Sequence, residues 1–123
     1  MKVVLLALVA LLVAPIAALA QAPQVYQPGN GVSPPRLLKE AKPIYPDAAR
    51  SAKIQGAVLL STVVLADGTV GRITVARSLG DPTYGFDAAA IKAAKQWTFS
   101  PGLKDGKPVP VQVTIEIAFT PPR

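Results

Sequence analysis

The chain has 123 residues, of which 50% are hydrophobic and 16% are charged. This length accommodates one small domain, and this balance excludes a wholly disordered chain. The sequence has neither cysteine nor histidine, which excludes thiol nucleophiles, disulfides, Cys/His zinc sites and Ser-His-Asp triads. Basic residues outnumber acidic ones by 13 to 7. Because they are scattered, we expect them to solvate the surface and predict no nucleic-acid partner.

Residues 1–20 have the features of a secretory signal peptide. Lys2 precedes an unbroken apolar stretch from Val3 to Ala14, and Ala18-Leu19-Ala20 is an A-x-A cleavage site. We therefore expect export and cleavage after Ala20. The apolar run is just long enough to span a bilayer, so an uncleaved anchor is the alternative, and membrane contact is expected only in that case.

Residues 21–35 are rich in proline and glycine and show no helical or strand period. This composition predicts a flexible, partly extended tail. From Arg36 onward the composition is that of a packed domain, which is predicted to occupy residues 36–123.

The domain is predicted to begin with a short helix followed by a β-hairpin. Pro46 to Lys53 fits two helical turns, because proline suits the first position of a helix. Ala57 to Leu65 is apolar on both faces, which is typical of a central strand. Asp67-Gly68 is a hairpin signal, and Val70 to Ser78 is predicted to be the return strand.

A second helix and a final strand complete the predicted domain. Phe86 to Trp97 is amphipathic, and Val109 to Phe119 alternates between apolar and polar residues. Pro108 and Pro110 flank or enter this strand, which places it at an edge of the sheet. The order α-β-β-α-β predicts an α+β two-layer sandwich, with a three-stranded antiparallel sheet and two helices on one face.

The sequence offers no recognisable catalytic machinery. No two acidic residues are spaced as an acid/base pair or as ligands for one metal ion, and no serine has a general base at a readable spacing. We therefore predict that the chain is not an enzyme and has no catalytic residue, metal site or cofactor. An edge strand does offer unpaired backbone groups, which proteins use to bind an extended peptide as an added strand.

Six short motifs resemble, in order and spacing, the C-terminal domain of TonB-family energy transducers. They are Pro43-x-Tyr45-Pro46-x-x-Ala49, Gly56-x-Val58, Asp67-Gly68-x-Val70, Asp87-x-Ala89-Ala90, Trp97-x-Phe99-x-Pro101 and the alternating strand that ends at Phe119. The resemblance covers roughly Pro35 to Phe119. It implies a periplasmic domain with two helices on a three-stranded sheet.

The resemblance also implies a function and a binding surface. In the family this domain pairs its last strand with the TonB box of outer-membrane receptors, in TonB-dependent transport. Carried over to this chain, the partner-binding residues are Val111, Gln112, Val113, Thr114, Ile115, Glu116 and Ile117. The expected partner is an outer-membrane TonB-dependent receptor or another envelope protein. The alternative function is a structural or assembly module of the cell envelope that binds itself, as a homodimer, or cell-wall polymer, without a role in transport.

Two features differ from a full transducer of this family. A full transducer has an N-terminal anchor with a serine and a histidine that couple it to a proton-driven motor, and a long proline-rich linker. Here the apolar N-terminus has neither residue, and only residues 21–35 stand in place of the linker. We therefore expect a stand-alone periplasmic domain. The alternative is a domain anchored in the inner membrane that faces the periplasm.

Overall fold

The computed structural model describes residues 24–122, so the predicted signal peptide lies outside the described residues. This part of the chain contains one α-helix, α1 (Phe86–Ala94), and seven strands. The strands are β1 (Arg36–Lys39), β2 (Gly56–Val64), β3 (Val70–Arg77), β4 (Thr98–Ser100), β5 (Gly102–Lys104), β6 (Lys107–Val109) and β7 (Val111–Phe119). None of the helices between residues 24 and 122 has the length and apolar character needed to cross a bilayer.

The main sheet has three antiparallel strands in the order β3-β2-β7. As the sequence predicts, β2 is central and β7 lies at an edge. The β2–β7 pairing runs without a bulge from Gly56 opposite Phe119 to Val64 opposite Val111. The smaller strands pair as β1 with β4 and β5 with β6.

The core lies between α1 and one face of the main sheet. As predicted, the apolar residues Phe86, Ala90, Ala94 and Trp97 are buried. The helix itself ends at Ala94, three residues before the predicted end at Trp97. The sheet contributes Val58, Leu60 and Val64 from β2, and Ile115, Ile117 and Phe119 from β7. The Phe86 and Phe119 rings meet edge to face with centroids 4.9 Å apart, an arrangement that aromatic pairs favour.

The first predicted helix, Pro46 to Lys53, is wrong. The structure has only a 3-10 turn at Asp47–Ala49, preceded by Pro46 in an extended conformation (φ −64°, ψ 136°) without a side-chain cap. Lys53 at φ 51° then ends the segment. So few residues between two non-helical positions cannot offset the cost of nucleating an α-helix. Residues 24–122 therefore form an α+β fold with one α-helix on the sheet, where the sequence predicts two.

Four short strands were not predicted, because three or four residues are too few to show a period. The turn between β5 and β6 is formed by Asp105 and Gly106. Asp105 and Gly106 have φ values of 51° and 78°, as a two-residue type I′ hairpin requires. The last strand begins at Val111, two residues later than predicted.

Residues 24–35 belong to the segment that the composition predicts to be a flexible, partly extended tail, and they contact the domain through isolated bridges. Tyr26 forms a bridge with Val111, and Val32 forms one with Lys104. Val32 is only 7% exposed. Single-residue bridges leave no periodic pattern in a sequence, which is why composition alone missed them.

Candidate functional site

Two hydrogen bonds reveal which backbone groups of β7 face away from the sheet. The Gln112 N–H donates to the Tyr26 carbonyl, and the Tyr26 N–H donates to the Pro110 carbonyl, each at 2.9 Å. Tyr26 lies on the side of β7 opposite β2, so the backbone groups of residues 110 and 112 face outward. Backbone direction alternates along a strand, and β7 has no bulge. The N–H and C=O groups of every even-numbered residue up to 118 therefore face outward.

Three of these residues have outward N–H and C=O groups without a backbone partner among residues 24–122: Thr114, Glu116 and Ala118. Together they present three donors and three acceptors. Their side chains are exposed, on the sheet face that α1 does not cover. We call residues 114–118 the open edge. Gln112 is excluded from it because its N–H is bonded to Tyr26.

A groove of about 410 Å³ runs beside the open edge. One wall consists of residues 116–120. The other, which we call the far wall, consists of Glu40, Ala41, Lys42, Pro43, Tyr45 and Trp97. The Trp97 Nε1–H donates to the Ala41 carbonyl at 2.9 Å, which holds this second wall against the end of α1. An extended segment placed in the groove would have the strand edge on one side and this wall on the other.

The charges around the open edge are mixed. Glu40 and Lys42 lie on the far wall, and Glu116 lies on the edge itself. On the uncovered sheet face, the basic residue Arg77 lies two strands away from Glu116, because both residues pair with Leu59 of the central strand. This arrangement favours recognition through the backbone over selection for one sign of charge.

Two carboxylates away from the groove stabilise turns. Asp67 accepts hydrogen bonds from the Thr69 hydroxyl at 2.6 Å and the Thr69 N–H at 2.9 Å. These bonds lower the pKa of Asp67, with the hydroxyl contributing most. The Thr83 N–H and hydroxyl lower the pKa of Asp81 in the same way. Both carboxylates fix local backbone geometry, as the sequence predicts for Asp67 before a glycine.

The seven residues that the resemblance implies, Val111 to Ile117, all lie on β7, but they do not all face a partner. Thr114 and Glu116 direct their backbone groups outward, and Gln112 does so with its N–H already occupied by Tyr26. The four odd-numbered residues direct theirs toward β2. Whether any of the seven contacts a partner remains a prediction.

Sequence reasoning missed the other parts of the site. Ala118 extends the open edge by one outward position, and continuing the alternation to Phe119 would have included it. The far wall gave no local signal, because the Trp97–Ala41 hydrogen bond joins residues 56 positions apart.

These features define a small α+β domain whose last strand leaves part of its edge open beside a groove. The model of the Gram-negative bacterial TonB protein C-terminal family matches residues 41–121. The chain belongs to this family, as the six motifs indicate.

Two curated relatives agree with this assignment. Over 89 residues the chain is 36% identical to protein TonB of Vibrio cholerae serotype O1, covering 72% of this chain and 36% of that protein. Over 82 residues it is 37% identical to protein tonB2 of Pseudomonas aeruginosa, covering 67% and 30% respectively. The chain thus spans about a third of the length of these relatives.

A solved structure shares the fold. The solution NMR structure of the Pseudomonas aeruginosa TonB CTD superposes with a TM-score of 0.52 at 24% sequence identity. The match covers 77% of this chain and 93% of that one.

Proposed function

We propose that this chain binds an extended peptide by strand addition at the open edge, and that the peptide is the TonB box of an outer-membrane receptor. The observation that carries the proposal is the set of unpaired outward backbone groups of Thr114, Glu116 and Ala118 beside the groove. Membership of the TonB C-terminal family supports a role in TonB-dependent transport in the periplasm.

Strand addition accounts for a site without distinctive side chains. A peptide on the open edge would form up to six backbone hydrogen bonds, each worth about 1 kcal/mol net. Its alternate side chains would enter the groove, where Tyr45, Pro43 and Trp97 offer apolar surface. The cost of ordering the peptide offsets much of this gain, so we expect a Kd on the order of micromolar. Such an affinity suits a domain that engages and releases receptors.

The test is a pair of substitutions at Glu116. Glu116→Pro removes an outward N–H and directs the proline ring toward an incoming strand. The β2–β7 hydrogen bonds remain, because they use the odd-numbered residues. Glu116→Ala removes the same side chain but keeps the N–H, so it is the matched control. In calorimetry with a TonB-box peptide we expect about a tenfold or greater loss for the proline variant and near wild-type affinity for the alanine variant.

Circular-dichroism melts of both variants show whether each is folded, and the binding comparison uses folded variants. Equal binding by the folded proline variant, or no binding of such a peptide by the wild type, would refute strand addition. The assembly alternative has its own signature, a wild-type dimer in sedimentation velocity that Glu116→Pro converts to a monomer.

A further inference from the structure

Residues 24–33, which we call the strap, lie against two strands. The second half of the strap is held on β5. The Ser33 N–H donates to the Leu103 carbonyl at 2.9 Å, and the Leu103 N–H donates to the Ser33 hydroxyl at 3.0 Å. Val32 is 7% exposed and anchors this half by burial.

The first half of the strap occupies the start of the outer edge of β7. Tyr26 pairs with Val111 in parallel orientation through the two backbone bonds that assign the outward residues. The Lys104 Nζ lies 4.9 Å from the centroid of the Tyr26 ring, within the range of a cation–π contact. The Gln27 Nε2 donates to the Gln112 Oε1 at 3.1 Å. The strap therefore occupies the backbone N–H and the side-chain amide oxygen of Gln112.

The pairing between the strap and β7 is limited to Tyr26, because the residues that would extend it lack the necessary N–H groups. In a parallel ladder, the strap residue two positions after Tyr26 would donate its N–H to the Gln112 carbonyl. That residue is Pro28, which has no N–H. Gly29 and Gly31, with φ of 103° and 87°, then turn the chain away from β7. On the other strand, Pro110 has no N–H to extend the pairing in the opposite direction.

We infer that the strap blocks the Gln112 position of β7 and so confines a partner peptide to the open edge. We call this role a register stop, because it fixes where on β7 the peptide can pair. The inference rests on the proposed function. A peptide that extended past Thr114 toward the start of β7 would need the Gln112 N–H, which Tyr26 holds, and would meet the Gln27 side chain. The strap therefore sets both the length and the register of the peptide that the edge accepts. Tyr26 acts as a positioning residue.

The test compares two identical changes in the strap of the full chain. Val32→Asp places a charge at a buried anchor that lies outside the helix–sheet core, and so should release the strap without unfolding the domain. Val25→Asp makes the same change at a side chain that is 44% exposed, and is the control. Tyr26→Pro is a second releasing variant, because it removes the N–H that donates to Pro110.

The first readout is amide hydrogen exchange by NMR, which needs no peptide. In the wild type and in Val25→Asp, the Gln112 amide should exchange at least about tenfold more slowly than the unpaired Thr114 amide. In Val32→Asp and Tyr26→Pro this difference should disappear. If Gln112 exchanges as fast as Thr114 in the wild type, the strap does not occupy the edge and the inference is overturned.

The second readout is binding of a five-residue and a nine-residue TonB-box peptide by calorimetry. The wild type should bind both alike, since only the open edge is available. In the releasing variants the longer peptide should gain roughly five- to thirtyfold, as one or two added backbone hydrogen bonds predict. An equal preference for the longer peptide in wild type and variants would overturn the register stop. Absence of binding to every variant would refute the proposed function instead, and the exchange result would still decide whether the strap occupies the edge.

Discussion

Gly68→Ala is expected to be among the most damaging single-methyl changes in this chain. Gly68 has a φ of 89°, and its carbonyl accepts the Phe99 N–H at 2.8 Å. A Cβ added to Gly68 would overlap the Phe99 carbonyl oxygen. Because this atom belongs to the backbone, the clash is relieved only if the hairpin and β4 separate.

The expected cost has three sources. An L-residue in the left-handed region costs about 1–2 kcal/mol. Separation breaks the Phe99–Gly68 hydrogen bond, worth about 1 kcal/mol, and partly exposes the buried Phe99 ring, worth about 1–2 kcal/mol. The total of about 3–5 kcal/mol is a large part of the free energy of unfolding of a typical small domain, about 5–15 kcal/mol.

Gly106→Ala is the matched control. Gly106 has a similar φ of 78°, but a Cβ there would have no neighbour within 4 Å. Gly106→Ala should therefore lower the free energy of unfolding only by the cost of an L-residue in the left-handed region, about 1–2 kcal/mol. Urea denaturation of the two variants measures the difference. Equal losses would show that φ alone makes Gly68 necessary, and would refute the argument from the Phe99 contact.

Two further predictions concern the groove wall and acid stability. Trp97→Ala should lower the free energy of unfolding by about 3–5 kcal/mol. Trp97→Phe should lower it by about 1–2 kcal/mol, mainly through loss of the hydrogen bond to Ala41. A melting temperature of the alanine variant close to that of the wild type would show that Trp97 is not a core residue. Because folding lowers the pKa of Asp67, its contribution to stability is complete above the ordinary aspartate range and is lost as pH falls through the lowered value. Asp67→Asn should therefore reduce the acid dependence of stability below about pH 4, and an NMR titration that places the pKa of Asp67 at or above the peptide value would contradict this reasoning.

The sequence predicts the parts of the fold that repeat a pattern over many residues. The alternation ending at Phe119 locates β7, the apolar face from Phe86 to Trp97 locates α1, and the Asp67-Gly68 turn locates the hairpin. The segment after Pro46 misled the prediction. Proline suits the start of a helix, but in the structure Pro46 is extended and Lys53 ends the segment at a positive φ, so only a 3-10 turn forms. Each strap contact involves a single residue, so no periodic pattern reveals it.

For the candidate site, the sequence indicates the strand but not its usable part. The alternation of side chains shows which residues enter the core. It does not show which of the outward backbone groups are already taken. That depends on Tyr26 and Pro28, which lie more than eighty positions away from their neighbours on β7. The far wall depends likewise on the contact between Trp97 and Ala41.

The position of Glu116 at the middle of the open edge affects how the protein behaves when concentrated. An unpaired edge invites identical molecules to join, and charged residues are one means by which proteins prevent it. If two copies paired antiparallel about the centre of this edge, each Glu116 would lie directly opposite the Glu116 of the other copy. Like charges in that position repel each other, and no basic side chain of the same edge lies between them. The edge can therefore remain available for a peptide while its symmetric pairing with a second copy is disfavoured at neutral pH.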